Sequence, residues 1–87
     1  MPYIKQDERK VLDRHIEALK QFIANEGELN YVITRLCDQH LDWAGKKYSN
    51  INTIIGVLEC AKQEFYRRVA APYETRKMKN NGDVYSA

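Results

Sequence analysis

The sequence has 87 residues, of which 30% are charged and 44% are hydrophobic, and its formal net charge is +2. This composition is typical of one soluble globular domain and excludes a disordered chain, and the small charge makes nucleic acid an improbable partner. No apolar run approaches the ~20 residues that cross a bilayer, and the amino end lacks the apolar segment of a signal peptide. We therefore expect a cytoplasmic protein with no membrane partner and a single helical domain over residues 1–87.

The first predicted helix spans residues 7–25 and follows MPYIKQ, which we expect to lie as a short extended arm on the body of the protein. Asp7 is the expected N-cap, and Gly27 is expected to adopt the left-handed conformation that ends the helix. Apolar residues at helical spacing carry this prediction: Leu12, Ile16, Leu19 and Ile23.

The second predicted helix spans residues 28–43. Its apolar face consists of Leu29, Val32, Ile33, Leu36, His40 and Trp43. The short link before it predicts that the first two helices are antiparallel neighbours or a sharply bent pair. The segment AGKKYSN after it is a predicted loop, with Gly45 breaking the pattern and Ser49 as the expected N-cap of the next helix.

The third predicted helix, residues 50–71, is apolar on two sides. One side carries Ile51, Ile54, Ile55, Leu58, Phe65 and Val69, and the other carries Thr53, Gly56, Val57, Cys60 and Ala61. A helix that is apolar on two sides packs on two sides, and in so short a chain the second partner is expected to be another copy. Glycine in a helix costs about 1 kcal/mol relative to alanine, which the close approach of another backbone at Gly56 would offset.

Pro72 is expected to stop or kink the third helix, because proline lacks an N–H donor. A short helix over residues 73–80 can follow, with Gly82 as its terminator, and the tail DVYSA has an apolar Val-Tyr pair that could dock on a neighbour. The predicted fold is therefore all-α: three main helices in a small bundle with a short helical or extended C-terminal tail, assembled as a homo-oligomer.

Several segments resemble a family of short uncharacterised helical proteins of bacteria and phages. The segments are MPYIKQ, GELNYVITRL, GVLECAKQEFYRRV, APYE and NGDVY. The resemblance spans nearly the whole chain and implies no established activity. It does imply a phage-encoded accessory role as one context, because some small helical oligomers of phages act as sponges that trap a nucleotide immune signal of the host.

Tyrosine and arginine residues form the strongest candidate binding surface. Arginine offers a planar fork to phosphate, and tyrosine offers a ring face to a base or ribose. The candidate ligand-binding residues are Asn30, Tyr31, Arg35, Arg67, Arg68 and Tyr73. The alternative is structural: Arg68 would pair with Glu64, Arg35 would pair with Asp38 or Asp42, and the tyrosines would pack at helix ends.

Three functions remain open at this point. The leading hypothesis is a non-catalytic oligomer that captures a phosphorylated nucleotide-type small molecule between subunits, with no cofactor and no bound metal. A phage anti-defence sponge is one form of this hypothesis. The second is an interaction or assembly module without a small ligand. A metal-dependent nucleotide hydrolase is less favoured, because Asp38 and Asp42 share a face but no second carboxylate pair faces them, and Glu59 and Glu64 point to different sides. Cysteine and histidine residues lack the paired spacing of a zinc site.

Overall fold

The structure is a computed structural model that describes residues 2–86, and within this range the protein is all-α, with three helices and no strand. The predicted fold class is confirmed. The third helix is continuous but has three parts, since a π-helical turn (the π segment) joins two α-helical stretches. The elements are α1 (Gln6–Lys20), α2 (Glu26–Ala44), α3 (Tyr48–Phe65), the π segment (Tyr66–Ala70) and α4 (Ala71–Asn81).

The amino-terminal arm is extended before α1, as expected. Lys5, in extended conformation, precedes the first helical residue, and no side chain caps the helix there. Asp7 is therefore not the N-cap but lies in the first turn, where a carboxylate complements the partial positive charge of the helix terminus. The guanidinium Nε of Arg9 donates to the carbonyl oxygen of Ile4 at 2.7 Å, which fixes the arm to the start of α1.

The link between α1 and α2 caps the second helix and does not extend the first. α1 ends at Lys20 rather than at Asn25, because Asn25 is the N-cap of α2: its side chain accepts a hydrogen bond from the backbone N–H of Glu28 at 2.9 Å. The Glu28 carboxylate in turn accepts from the N–H of Ala24 at 2.7 Å. The prediction for Gly27 was wrong, since Gly27 lies in the first turn of α2 and has no positive φ.

The loop between α2 and α3 is short and locked by one side chain. Gly45 ends α2 with φ +112°, a value that L-residues rarely adopt. The Asn50 amide donates to the carbonyl oxygens of Ala44, at 3.1 Å, and of Gly45, at 2.8 Å. α3 begins at Tyr48, so Ser49 is inside the helix and is not its N-cap.

Pro72 does not end the third helix. The N–H of Ala71 donates to the carbonyl oxygen of Tyr66, five residues back, so the turn before the proline is wider than an α-helical turn. A proline ring clashes with the carbonyl four residues earlier, and a widened turn relieves that crowding. The helix therefore continues to Asn81, and Gly82 terminates it with φ +92°, as expected.

The fold of a single chain is unusually open. No residue in the described range 2–86 is buried, and the chain exposes 8124 Å². A folded monomer of 10.2 kDa exposes about 5,300 Å², so this chain exposes about 2,800 Å² more. Its radius of gyration is 17.0 Å, against about 12 Å for a compact domain of this length. The hydrophobic residues are thus arranged on helices but not enclosed.

Helix packing within the chain is confined to α2 and the third helix. Half-buried residues on these two helices include Cys37, Leu41, Asn50 and Ile54. By contrast, no Cα atom of α1 lies within 8 Å of a Cα atom in another helix of residues 2–86. The prediction that the first two helices are antiparallel neighbours was therefore wrong, because α1 and α2 do not pack on each other.

Candidate functional site

Two predicted binding residues, Arg67 and Arg68, lie where the amino-terminal arm meets the end of α3. The Tyr3 hydroxyl donates to the Glu64 carboxylate, and Arg68 Nη1 donates to the Tyr3 hydroxyl at 3.3 Å. Arg67 Nη2 lies 2.7 Å and 2.9 Å from the two carboxylate oxygens of Glu64. We call these four residues, Tyr3, Glu64, Arg67 and Arg68, the arm-anchoring cluster.

Electrostatics stabilise the charged forms within this cluster. The hydrogen bond from Arg67, followed by the one from Tyr3, lowers the pKa of the Glu64 carboxyl below its ordinary value of 4.5. The same bond raises the pKa of the Arg67 guanidinium. The structural alternative is therefore realised in part, with the difference that Arg67, and not Arg68, is the partner of Glu64. Arg68 has the Tyr3 hydroxyl as its one hydrogen-bond partner among residues 2–86.

An open groove adjoins the cluster, with a volume of about 810 Å³. Its lining combines the arm with the end of the third helix: Pro2, Glu59, Cys60, Lys62, Gln63, Glu64, Tyr66 and Arg67. This volume lies in the range of small-molecule sites, about 300–1,000 Å³, but such sites enclose most of their ligand. In one chain the groove is open to solvent, so a second molecule would be needed to enclose a ligand.

Tyr73 lies further along the third helix, at the start of α4. The Arg76 guanidinium carbon is 5.9 Å from the centre of its ring, and the Lys77 ammonium is 5.6 Å from it. Both distances are within the range of cation–π contacts. One face of the ring is thus used inside the chain, and the two cations add to the local positive charge. The Tyr66 hydroxyl donates to Glu74 at 3.4 Å, which spans the π segment.

The other three candidates, Asn30, Tyr31 and Arg35, lie on α2 and do not line the groove beside the arm. They also do not line a second groove, which α4 and the tail form. The Asn30 side chain accepts a hydrogen bond from Thr34 at 3.2 Å, and Tyr31 is 64% exposed. Among residues 2–86 no ion pair joins Arg35 to an acidic residue. Asp42, one of its two expected partners, pairs with Lys46 at 3.4 Å. The structure therefore places the candidates in two groups on different helices.

Carboxylates of the third helix are occupied by neighbouring side chains. Glu59 pairs with Lys62 at 3.1 Å and accepts from Gln63 at 3.1 Å, and these contacts lower the pKa of its carboxyl. No group of three or more His, Cys, Asp or Glu residues within residues 2–86 is placed to hold a metal ion. Cys37 and Cys60 are both free thiols.

The small-residue side of α3 is open in the single chain. A Cβ atom added at Gly56 would meet no atom of residues 2–86 within 4 Å, and Cys60, one turn on, is exposed. No other element of this described range therefore approaches Gly56. The close approach that the sequence predicted would have to come from another molecule.

Sequence reasoning missed Tyr3, and it paired Glu64 with Arg68 rather than with Tyr3 and Arg67. Tyr3 and Glu64 are 61 residues apart, so no local spacing relates them. The local signal was limited to the tyrosine in a short arm after a proline. Only the folded chain shows that this arm reaches the end of α3.

Comparisons with known proteins identify a family and nothing beyond it. Among the helices of residues 2–86, none has both the length and the apolar composition that crossing a bilayer requires. No curated protein and no solved structure matches the chain. A family model, described as a domain of unknown function (DUF6899), matches residues 1–84. The chain therefore belongs to the DUF6899 family, a family of uncharacterised domains.

Proposed function

We propose that this protein is a non-catalytic binding module that works as a homo-oligomer and captures a phosphorylated nucleotide-type ligand between its subunits. One observation carries the proposal: no residue of the described chain is buried, and the chain exposes about 2,800 Å² more than a folded monomer of its mass. A surface of this size is stable in water only when other molecules cover it. The open side of α3 at Gly56 and Cys60 is one surface for such a contact.

The ligand class follows from the side chains of the two candidate groups, on the third helix and on α2, of which Arg67 lines the open groove. Arg68 has one protein partner among residues 2–86, so most of its donors remain available to a phosphate. Tyr31 and Arg35 are one turn apart on α2, and no ion pair within the described range occupies Arg35. Contact between subunits would allow the α2 group of one copy to meet the Arg67 and Arg68 group of another.

The biological setting is part of the proposal. The family resemblance favours a cytoplasmic protein of a bacterium or phage, and capture without turnover is the activity of a sponge for a nucleotide immune signal. Arg67 is held by Glu64 in the single chain, so an incoming phosphate would compete with that carboxylate. Binding would therefore be coupled to rearrangement of the amino-terminal arm.

Calorimetry with cyclic dinucleotides and ADP-ribose derivatives tests the ligand. We expect one or more to bind the wild type, and we expect Arg68→Ala and Arg35→Ala each to weaken binding roughly tenfold or more, because hydrogen bonds to charged groups contribute about 1.5–3 kcal/mol. Arg14→Ala, on the polar side of α1, is the matched control and should bind as the wild type does. Native mass spectrometry of the purified protein should show any nucleotide that remains bound.

A second function, an assembly module that binds another protein and no small ligand, is favoured by one observation. Val84 and Tyr85 in the tail are 90% and 80% exposed and could dock on a partner. This function predicts an oligomer that binds no nucleotide in either experiment. A metal-dependent hydrolase predicts nucleotide turnover that requires magnesium and stops with chelator, and an absence of turnover in both conditions would remove it.

A further inference from the structure

We infer that α1 is a subunit-interface helix, and that the apolar stripe formed by Leu12, Ile16 and Leu19 packs against a second copy of this chain. The inference rests on the homo-oligomeric state proposed above. It adds α1 to the interface that the proposed function places on the small-residue side of α3. If it holds, the hydrophobic core of the protein is shared between copies rather than contained in one.

The first step of the argument is that α1 is amphipathic but has nothing to pack on. Leu12, Ile16 and Leu19 lie on one side of the helix and are 50%, 56% and 38% exposed. No Cα atom of another helix in residues 2–86 lies within 8 Å of a Cα atom of α1. A helix of 15 residues is marginal in water without tertiary packing, so its apolar side requires a partner.

The second step is that hydrogen bonds tie the segments on both sides of α1, the arm and the link, to the other helices. At its start, the Tyr3–Glu64 hydrogen bond fixes the arm to α3, and the Arg9 contact with Ile4 fixes α1 to the arm. At its end, Asn25 and Glu28 cap α2 and hold the link. α1 therefore bridges the end of α3 and the start of α2 while packing on neither.

The third step identifies the occupant as another copy. A standard protein interface covers about 800 Å² of each partner and an obligate one about 1,000–2,500 Å², whereas this chain has about 2,800 Å² in excess. An obligate interface, typical of homo-oligomers, is thus needed. The chain also offers apolar surface that α1 of a neighbour could cover, since on α2 Leu29, Leu36 and Trp43 are 49%, 61% and 83% exposed. A net charge of +2 opposes self-association only weakly.

A pair of variants on opposite sides of α1 tests the inference. Ile16→Glu places a charge in the stripe, and Ala18→Glu adds the same charge to the same helix away from the stripe. Light scattering should give the wild type and Ala18→Glu a mass that is a multiple of 10.2 kDa, and Ile16→Glu a monomer or an unfolded chain. The melting temperature of the wild type should rise with protein concentration. Full assembly of Ile16→Glu, or equal loss of assembly in both variants, would overturn the inference.

A second measurement does not depend on how a variant folds. In an equal mixture of carbon-13-labelled and unlabelled wild-type chains, unfolded together and refolded, isotope-filtered NOE spectra should show contacts between the Ile16 methyl groups and protons of the other chain. An assembled sample that shows no such contacts at Ile16, Leu12 or Leu19 would refute the role of α1. A wild type of 10.2 kDa whose cooperative melting is independent of concentration would refute it as well.

These results separate the inference from the proposed function. Intermolecular contacts at Ile16 together with no nucleotide binding would retain the α1 interface and reject ligand capture. An assembly that binds nucleotide but shows no contact at α1 would retain the proposed function and reject this inference. A wild type that assembles only with a different protein would reject both.

Discussion

The Tyr3 hydroxyl donates a hydrogen bond to the Glu64 carboxylate, which joins the third residue of the chain to the last turn of α3. Arg67 and Arg68 complete this contact from the π segment. Most of the other side-chain hydrogen bonds in residues 2–86 join residues that are close in sequence, whereas this one links the arm to α3. It sets where α1 begins relative to the third helix, and it places two candidate binding arginines beside the arm.

Removing the Tyr3 hydroxyl should loosen the arm without unfolding the helices. We expect Tyr3→Phe to raise the hydrogen-exchange rate of the Arg9 amide, which donates to the Lys5 carbonyl oxygen at the start of α1, roughly two- to tenfold, because one hydrogen bond is lost. Tyr48→Phe removes a hydroxyl from a tyrosine that is 81% exposed, and it serves as the control. Unchanged exchange in Tyr3→Phe would mean that the Tyr3–Glu64 hydrogen bond does not hold the arm.

The attachment of the arm should depend on pH through Glu64. Hydrogen bonds from Arg67 and Tyr3 lower the pKa of Glu64 below 4.5, so the carboxylate is more acidic in the folded chain than in the unfolded one. Stabilisation from these bonds is therefore complete above pH 4.5 and is lost as the pH falls through the lower, folded-state pKa.

NMR titration of the Glu64 side-chain carboxyl measures this effect directly. The wild-type midpoint should lie below 4.5, and Arg67→Ala should raise it more than Tyr3→Phe does, since the Arg67 bond is the larger cause. A wild-type midpoint at or above 4.5 would contradict the arrangement of the cluster.

The Asn25 cap makes a prediction about stability. Asn25→Ala should lower the free energy of unfolding by about 1 kcal/mol, because the backbone N–H of Glu28 loses its acceptor. Asn25→Asp keeps an acceptor and should retain most of the wild-type stability. Urea denaturation of the three proteins at one protein concentration gives the comparison, and equal losses in both variants would show that the cap geometry is not the cause.

The helices could be predicted from the sequence, but their caps and enclosure could not. Apolar spacing identified α1, α2 and the third helix, and Gly45 and Gly82 ended helices as expected. Asn25 was misassigned because asparagine suits the residue after a helix as well as the residue before one. Pro72 was expected to stop or kink the third helix, and the π segment before it allows the helix to continue.

The candidate site was predictable only as a set of residue types. From the sequence, an apolar stripe such as Leu12, Ile16 and Leu19 is interpreted as part of the core of its own chain. The spacing of the residues indicates that this side of the helix is covered, but it does not indicate which molecule covers it. Likewise, spacing along a helix suggested that Arg68 would pair with Glu64, whereas Arg67, three residues after Glu64, makes that ion pair. The distant contact of Tyr3 with Glu64 is tertiary information that no local pattern contains.

Gly56 provides the sharpest test of self-association through α3. In one chain an added Cβ meets no atom within 4 Å, and alanine is favoured over glycine in a helix by about 1 kcal/mol. Gly56→Ala should therefore stabilise a protein that works as a monomer. We expect the opposite, a weaker oligomer in sedimentation measurements over a range of concentrations, because the proposed interface brings another backbone against this position. Since no atom of residues 2–86 obstructs the new methyl group, a loss of assembly would indicate a second molecule at Gly56, and a gain in stability with unchanged assembly would exclude one there.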